Sequence, residues 1–156
     1  MKRRSAGLLM YRRRAGTLEV LLIHPGGPFW TKKDAGAWSI PKGEFADDEE
    51  PLAAAKREFV EETGFAWAEP FLELKPVRQA GGKRVFAWAF EGDCDPAQIV
   101  SNTFEIEWPP RSGKLKTFPE VDRADWFGLD DARRKMNSGQ VPLLEDLAAR
   151  LSSGSH

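Results

Sequence analysis

The stretch Gly43–Phe65 reads GEFADDEEPLAAAKREFVEETGF and decides how the rest of the chain is interpreted. Pro51 suits an early helical position, because the first turn of a helix does not use that backbone N–H. Leu52, Ala55 and Phe59 then recur at helical spacing, as the buried stripe of an amphipathic helix does. The sequence therefore predicts a loop followed by a helix with one apolar face.

The other face of this helix, predicted over Leu52–Glu62, is acidic. Glu58, Glu61 and Glu62 stand at i, i+3 and i+4, and like charges at these spacings cost about 0.2–0.5 kcal/mol per pair. A hard divalent cation would offset that repulsion, and Mg²⁺ leaves coordination sites for water and substrate phosphates. The pattern favours a polyphosphate partner. The alternative is a solvated helix face with Arg57 as its counter-charge.

Glycines flank this acidic segment on both sides. Gly43 follows Pro41-Lys42 and allows the backbone to approach a metal or a phosphate closely. Gly64 lies where the helix would end, as its C-terminal cap. The whole segment resembles the Nudix signature G-x5-E-x7-R-E-U-x-E-E-x-G-U, in which U is a bulky apolar residue, and every specified position matches. Trp38–Gly43, WSIPKG, resembles the strand and turn that lead into that signature.

The resemblance implies a Nudix hydrolase with an α/β fold, a helix–sheet–helix sandwich around a mixed β-sheet. It implies cleavage of a phosphoanhydride in a nucleoside diphosphate linked to another group, with Mg²⁺, or Mn²⁺ in its place, assisting the attack of water. The expected substrate is a small nucleotide polyphosphate. The Pro41-Lys42-Gly43 form of the entrance resembles enzymes that act on dinucleoside polyphosphates, which favours that class over a nucleoside triphosphate.

Site residues follow from the same resemblance, position by position. The metal ligands are Glu58, Glu61 and Glu62, with the Gly43 carbonyl as a further ligand. Arg57 and Glu49 form the supporting shell, in which a guanidinium orients a catalytic carboxylate through an ion pair. The residues expected to act in catalysis are Glu58, Glu61, Arg57 and the more distant Glu120.

Glu120 precedes a predicted strand that contains Trp126. It resembles the extra glutamate that many Nudix enzymes place there to bind metal or to activate water. Glu105 or Glu107 could be this downstream acid instead. Alternatively, Glu120 pairs with Arg123 or Lys116 on a solvated loop. The general base is therefore left open.

Substrate contacts are expected from three places. Lys42 stands at the entrance of the signature. Trp30 ends the stretch HPGGPFW, residues 24–30, where an aromatic ring could stack on a nucleobase. Arg111 and Lys114 belong to a basic stretch, Pro109–Thr117, which we expect to be a mobile loop that neutralises phosphates. Packing and surface solubility explain these last two stretches nearly as well.

Alternating and apolar runs predict the remaining elements. Gly7–Tyr11 and Leu18–Ile23 form a first hairpin, and Phe71–Arg78 with Arg84–Phe90 form a second. Thr103–Trp108 alternates as a half-buried strand. Helices are predicted over Leu129–Met136 and Pro142–Leu151.

Composition bounds the class of protein. With 156 residues, 41% of them apolar and 30% charged, the chain suits one domain, residues 1–151, and neither a disordered nor a fibrous protein. The net charge of −1 argues against binding to long nucleic acid. The lone Cys94 excludes an internal disulfide and favours the cytoplasm. No membrane segment is expected, and residues 152–156 are expected to be a disordered tail or an expression remnant.

Two other functions are compatible with the fold. A Nudix-like domain could sense a nucleotide without turnover, although the intact Glu58, Glu61 and Glu62 favour catalysis. A protein-interaction module with an incidental acidic helix would show no dependence on metal.

Overall fold

A mixed sheet forms the middle of the molecule. The structure is a computed structural model that describes residues 3–153. The strands are β1 (Arg4–Arg14), β2 (Thr17–Pro25), β3 (Lys42–Glu44), β4 (Leu72–Glu73), β5 (Val77–Arg78), β6 (Arg84–Glu91), β7 (Thr103–Glu107), β8 (Leu115–Pro119) and β9 (Val121–Gly128). The helices are α1 (Pro51–Thr63), α2 (Leu129–Lys135) and α3 (Val141–Ser153), with 3₁₀ turns at Ala80–Gly82, Pro96–Gln98 and Ser138–Gln140.

Seven strands pair in the main sheet in the order β4-β6-β1-β2-β9, with β3 paired to β1 and β5 to β6. Strands β1 and β6 run parallel, and the other pairs are antiparallel. β1 and β2 are joined at Ala15–Gly16 and pair from Arg14 with Thr17 onward, which confirms the first predicted hairpin.

Helices cover both faces of this sheet. Leu8 and Met10 of β1 are buried with Ala55 and Phe59 of α1 in one apolar cluster. Leu9, from the same strand, is buried on the opposite face in a cluster that includes residues of α2 and α3. Side chains alternate across a strand, so β1 contributes to two cores at once. The predicted helix–sheet–helix sandwich is confirmed.

A two-stranded hairpin, β7–β8, lies outside the main sheet. Phe104 pairs with Phe118 and Ile106 with Lys116 across it. The expectation of a mobile loop over Pro109–Thr117 was therefore wrong for its last part, since Leu115–Thr117 belongs to β8. Cross-strand pairing of alternating side chains orders this stretch.

Two further predictions need correction. Phe71–Arg78 does not form one strand but the short β4 and β5, because Pro76 between them has no N–H to donate to β6. Ser152 and Ser153, predicted as part of a tail, continue α3, while residues 154–156 lie outside the described residues. In residues 3–153, no helix combines the length and apolar character that spanning a membrane requires.

Candidate active site

Helix α1, which carries the acidic residues, begins and ends close to where the sequence predicted. Pro51 is at its start, and Gly64 caps its end with φ 75°, donating its N–H to Val60 O at 2.8 Å. Ala55 and Phe59 are fully buried against the sheet. Glu58 and Glu62 flank this buried stripe and Glu61 lies further round the helix, and all three side chains are half-buried.

Gly43 and Glu58 lie in direct contact. A Cβ built on Gly43 would lie 2.1 Å from both Cδ and Oε2 of Glu58. No other residue type fits there without displacing the carboxylate. Glycine thus allows the β3 backbone and an α1 side chain to approach each other closely.

Arg57 holds the carboxylates around it. Its Nε and Nη2 donate to the two oxygens of Glu49 at 3.0 and 3.1 Å, which is a bidentate pair. Its Nη1 donates to Glu58 Oε1 at 2.8 Å and reaches Glu61 Oε2 at 3.4 Å. The hydrogen bonds to Glu49 and Glu58 raise the Arg57 pKa, although burial opposes the rise. Arg57 and Glu49, which were predicted to form the supporting shell, belong to one contact network with Glu58 and Glu61, and their role stays a prediction.

Glu62 faces the backbone of β3. Its Oε1 accepts the Lys42 N–H at 3.1 Å. Burial raises the pKa of Glu62 to about 8, and the charge of Glu58 adds to the rise while the Lys42 N–H opposes it. Burial also lowers the pKa of the Lys42 ammonium, with Lys83 as the next cause. A carboxyl in this environment gains most from a nearby cation.

Glu120 lies with the same group of acids. Burial is the main cause that raises the pKa of Glu58, and the charges of Glu61 and Glu120 act in the same direction. Glu120 also raises the pKa of Glu62. Its backbone N–H donates to Asn102 O at 2.8 Å, and the Asn102 N–H donates to Glu61 O at 2.9 Å. Asn102, which the sequence analysis did not single out, therefore joins the Glu120 loop to α1.

The structure argues against an ion pair of Glu120 on a solvated loop and against Glu107 as the downstream acid. Arg123 lies 3.8 Å from Asp122, and among residues 3–153 no ion pair to Glu120 is found. Glu107 uses both carboxylate oxygens to accept the N–H groups of Arg111 and Gly113, at 3.0 and 3.1 Å. Glu107 therefore organises the hairpin tip.

The residues of this site fit a hard divalent cation. The donor set is oxygen only, and the missing Cβ of Gly43 lets the Glu58 carboxylate lie directly against the β3 backbone. Within residues 3–153, however, no three His, Cys, Asp or Glu side chains stand in the arrangement of a metal site. Glu58 and Glu61 instead form ion pairs with Arg57, at 2.8 and 3.4 Å. Their role as ligands remains a prediction.

The predicted substrate contacts are spread over a wider surface. Lys42 lies on β3 beside the carboxylates, whereas Arg111 and Lys114 are exposed in the turn of the β7–β8 hairpin. Trp30 is 39% exposed, with Lys33 Nζ 5.0 Å from its ring centroid. Trp38 is buried, and Trp88 and Trp126 pack against the core, as their strand contexts predicted.

Two connections beside the site had no clear signal in the sequence. His24 is fully buried, with Nδ1 2.9 Å from Asp122 Oδ1 and Nε2 2.6 Å from Lys33 O, so it ties the loop after β2 to β9. Phe29 packs edge to face on Trp108, with ring centroids 5.4 Å apart. Both link residues far apart in the chain.

Comparison with known proteins identifies the family of this chain. The sequence profile of the NUDIX domain matches residues 1–147. An RNA pyrophosphohydrolase of Bartonella henselae is 34% identical over 149 residues, covering 82% of this chain and 77% of the relative. The fold is similar to an Ap4A hydrolase of C. elegans in a binary complex, with a TM-score of 0.63, 23% identity and coverage of 97% and 98% of the two chains. It is also similar to the NUDIX domain of Shewanella oneidensis NrtR complexed with ADP ribose, with a TM-score of 0.65, 17% identity and coverage of 97% and 89%. The chain belongs to the NUDIX domain family.

Proposed function

We propose that this protein is a pyrophosphohydrolase that cleaves a phosphoanhydride bond in a nucleoside diphosphate-linked substrate, with Mg²⁺ as its cofactor. The observation that carries the proposal is the contact network around Arg57. One guanidinium is bound by Glu49 and reaches Glu58 and Glu61, while Glu58 lies against Gly43. Such a network holds carboxylates in one orientation before a cation or substrate arrives.

Each residue of the site has a separate task. Glu58, Glu61, Glu62 and the Gly43 carbonyl would hold Mg²⁺. When bound, this ion neutralises phosphate oxygens and lowers the pKa of a water molecule. Glu49 fixes Arg57, and Arg57 orients Glu58. Lys42 stands beside the acids and contributes a positive charge toward the diphosphate.

Glu120 is the group that we assign to accept the proton of the attacking water. Its charge acts on Glu58 and Glu62, and Asn102 connects its backbone to α1. Glu105 remains the alternative acid, because it lies on the exposed face of β7, whereas Glu107 already accepts two backbone N–H groups. The Glu120→Gln and Glu105→Gln variants separate these two assignments by their effect on kcat.

The substrate we favour is a dinucleoside polyphosphate or a nucleoside triphosphate. Similarity to an Ap4A hydrolase in fold, and the Pro41-Lys42-Gly43 entrance, support the first of these. A second candidate comes from the relative named RNA pyrophosphohydrolase. An RNA contains a pyrophosphate bond only at a polyphosphorylated end, so that end would be the group cleaved.

The test is a substrate panel with Mg²⁺, comprising diadenosine polyphosphates, nucleoside triphosphates, nucleotide sugars and 5′-triphosphorylated RNA, with products identified by chromatography. Glu61→Gln should lower turnover by at least about 100-fold, since it removes a charge from the cation site. Glu50→Gln is the matched control, because Glu50 is exposed at the start of the same helix and makes no capping hydrogen bond.

Two outcomes would reject this function. Turnover that persists in Glu61→Gln or without metal would contradict the assigned chemistry. Tight nucleotide binding without turnover of any substrate would favour the nucleotide sensor.

A further inference from the structure

A set of aromatic and basic residues, most of them exposed, lies on the loop after β2 and on the turn of the β7–β8 hairpin. We define it as the aromatic–basic face: Phe29, Trp30, Lys33, Trp108 and Arg111. Phe29 is 57% exposed and Trp30 39% exposed, although both are large aromatic residues. Phe29 packs on Trp108, and Lys33 lies over Trp30. Aromatic rings interspersed with positive charges are the usual surface for nucleobases and phosphates.

The turn that carries Arg111 is firmly built. Glu107 accepts the N–H groups of Arg111 and Gly113 with its two oxygens. Trp108 donates its N–H to Lys114 O at 2.9 Å, and Ser112 donates its N–H to Pro109 O at 3.1 Å. A side chain on this turn is therefore presented from a hydrogen-bonded backbone.

Arg111 itself has an unusual backbone conformation. Its φ is 63°, in the left-handed region where a side chain costs about 1–2 kcal/mol and where glycine is the ordinary residue. Strain of this kind persists where the surrounding structure enforces it, and it is concentrated at binding sites. The strain points to a use for the guanidinium that a glycine could not supply.

The loop that carries the aromatic residues is joined to the backbone of Glu120. Gly26 donates its N–H to Glu120 O at 2.9 Å, and the loop after it covers the apolar side of the hairpin, where Gly27 approaches the Phe104 ring. Phe29 follows Gly26 by three residues and so lies within about 11 Å of it. A ligand with one end at Glu120 could thus reach Phe29 with its other end.

We propose that the aromatic–basic face binds a second nucleotide, joined to the diphosphate that the carboxylate site cleaves. Its base stacks on the exposed rings, and Arg111 and Lys33 contact its phosphates. This inference rests on the proposed function and makes it more specific, because a plain nucleoside triphosphate has no second nucleotide. Two sources share this chemistry, a dinucleoside polyphosphate and the 5′ end of an RNA.

The experiment compares substrates with and without that second nucleotide. We would measure kcat/KM for ATP, diadenosine tetraphosphate and a 5′-triphosphorylated RNA trinucleotide in the wild type, Arg111→Gly and Phe29→Ala. Arg111→Gly removes the guanidinium at a position whose φ suits glycine, and Phe29→Ala truncates a mostly exposed ring, so both variants should fold. Ala15→Gly is the matched control, since Ala15 is the other non-glycine residue with positive φ, 52°, in the described part of the chain.

Each variant should lower kcat/KM for one or both of the long substrates by about 10-fold through KM, while ATP changes by less than about twofold. The substrate that responds identifies the source of the second nucleotide. An equal loss for ATP, or no loss for either long substrate, overturns the inference. If nothing is turned over, which would defeat the proposed function instead, binding calorimetry with the same three ligands gives the same comparison. In that case, the inference is overturned if the wild type binds neither of the two long ligands more tightly than it binds ATP.

Discussion

The segment from Lys42 to Gly64 and the hairpin β7–β8 with its covering loop differ in how they hold their charged groups. In the first segment, Arg57 and the backbone of Lys42 engage Glu49, Glu58, Glu61 and Glu62 over short stretches of chain. In the second, positive charges and aromatic rings face solvent, supported by a backbone that is itself well bonded. The first region is arranged to hold a reactive group, and the second to receive a ligand that varies. We infer that chemistry and substrate choice lie in separate parts of this fold.

The sharpest way to break this comparison is Gly43→Ala. The new Cβ would meet the end of the Glu58 side chain, which can turn aside at low cost in stability but leaves the cation site. We expect kcat to fall by about 100-fold, the effect of an ångström-scale misplacement, with little change in Tm. Calorimetry and initial rates on one preparation check both statements.

Gly7→Ala is the matched control for this prediction. Its Cβ would lie 2.4 Å from Pro41 O and 2.7 Å from Lys42 Cβ, so the backbone at Pro41, just before β3, must move. That variant should lose stability first. Equal losses of stability in Gly43→Ala and Gly7→Ala would show that Gly43 serves packing and not the site.

The hairpin side is tested by Gly26→Ala. The added Cβ would lie 2.0 Å from Pro119 O, at the point where the loop and the hairpin join beside Glu120. Overpacking against backbone costs about 1–3 kcal/mol, so we expect a loss near 2 kcal/mol in urea unfolding. KM should rise more for long substrates than for ATP. Gly128→Ala, which meets open space at φ −64°, is the tolerated counterpart.

The same division explains what could be predicted from the sequence. Glu58, Glu61 and Glu62 lie within five consecutive residues, so helical geometry alone places them together. Gly43 and Arg57 were predicted by their positions in one signature. Strands and helices with a regular alternation or stripe, such as β2 and α3, were also predicted correctly.

The features that could not be predicted from the sequence depend on contacts between residues far apart in the chain. Pairing of Phe29 with Trp108 and the hydrogen bonds of His24 to Asp122 and Lys33 join residues that no local pattern relates. Strand β8 was missed because a basic, glycine-containing run resembles a loop unless β7 is known to pair with it. The strand predicted over Phe71–Arg78 is interrupted at Pro76, a local cause that the apolar pattern of this stretch did not indicate.

Metal binding should stabilise the first region measurably. A cation that binds only the folded protein adds about 1.4 kcal/mol when its concentration is about tenfold above Kd, by mass action. We expect Mg²⁺ to raise Tm by a few degrees in the wild type and in Glu50→Gln. The shift should be much reduced in Glu61→Gln. A shift of the same size in Glu61→Gln would place the cation elsewhere, and the lack of any shift would favour the interaction module.

The smallest expected effect compares the two non-glycine residues at positive φ. Ala15 and Gly16, at φ 52° and 82°, form the two-residue turn between β1 and β2, for which Asn-Gly is the preferred pair. Ala15→Asn should therefore raise the free energy of unfolding by about 0.5–1 kcal/mol without changing kinetics. Arg111→Gly should relieve similar backbone strain in the β7–β8 hairpin, but it should weaken the binding of the long substrates. If both variants gained stability with no change in activity, Arg111 would be strained for no functional reason, and the proposed separation between the two regions would fail at Arg111.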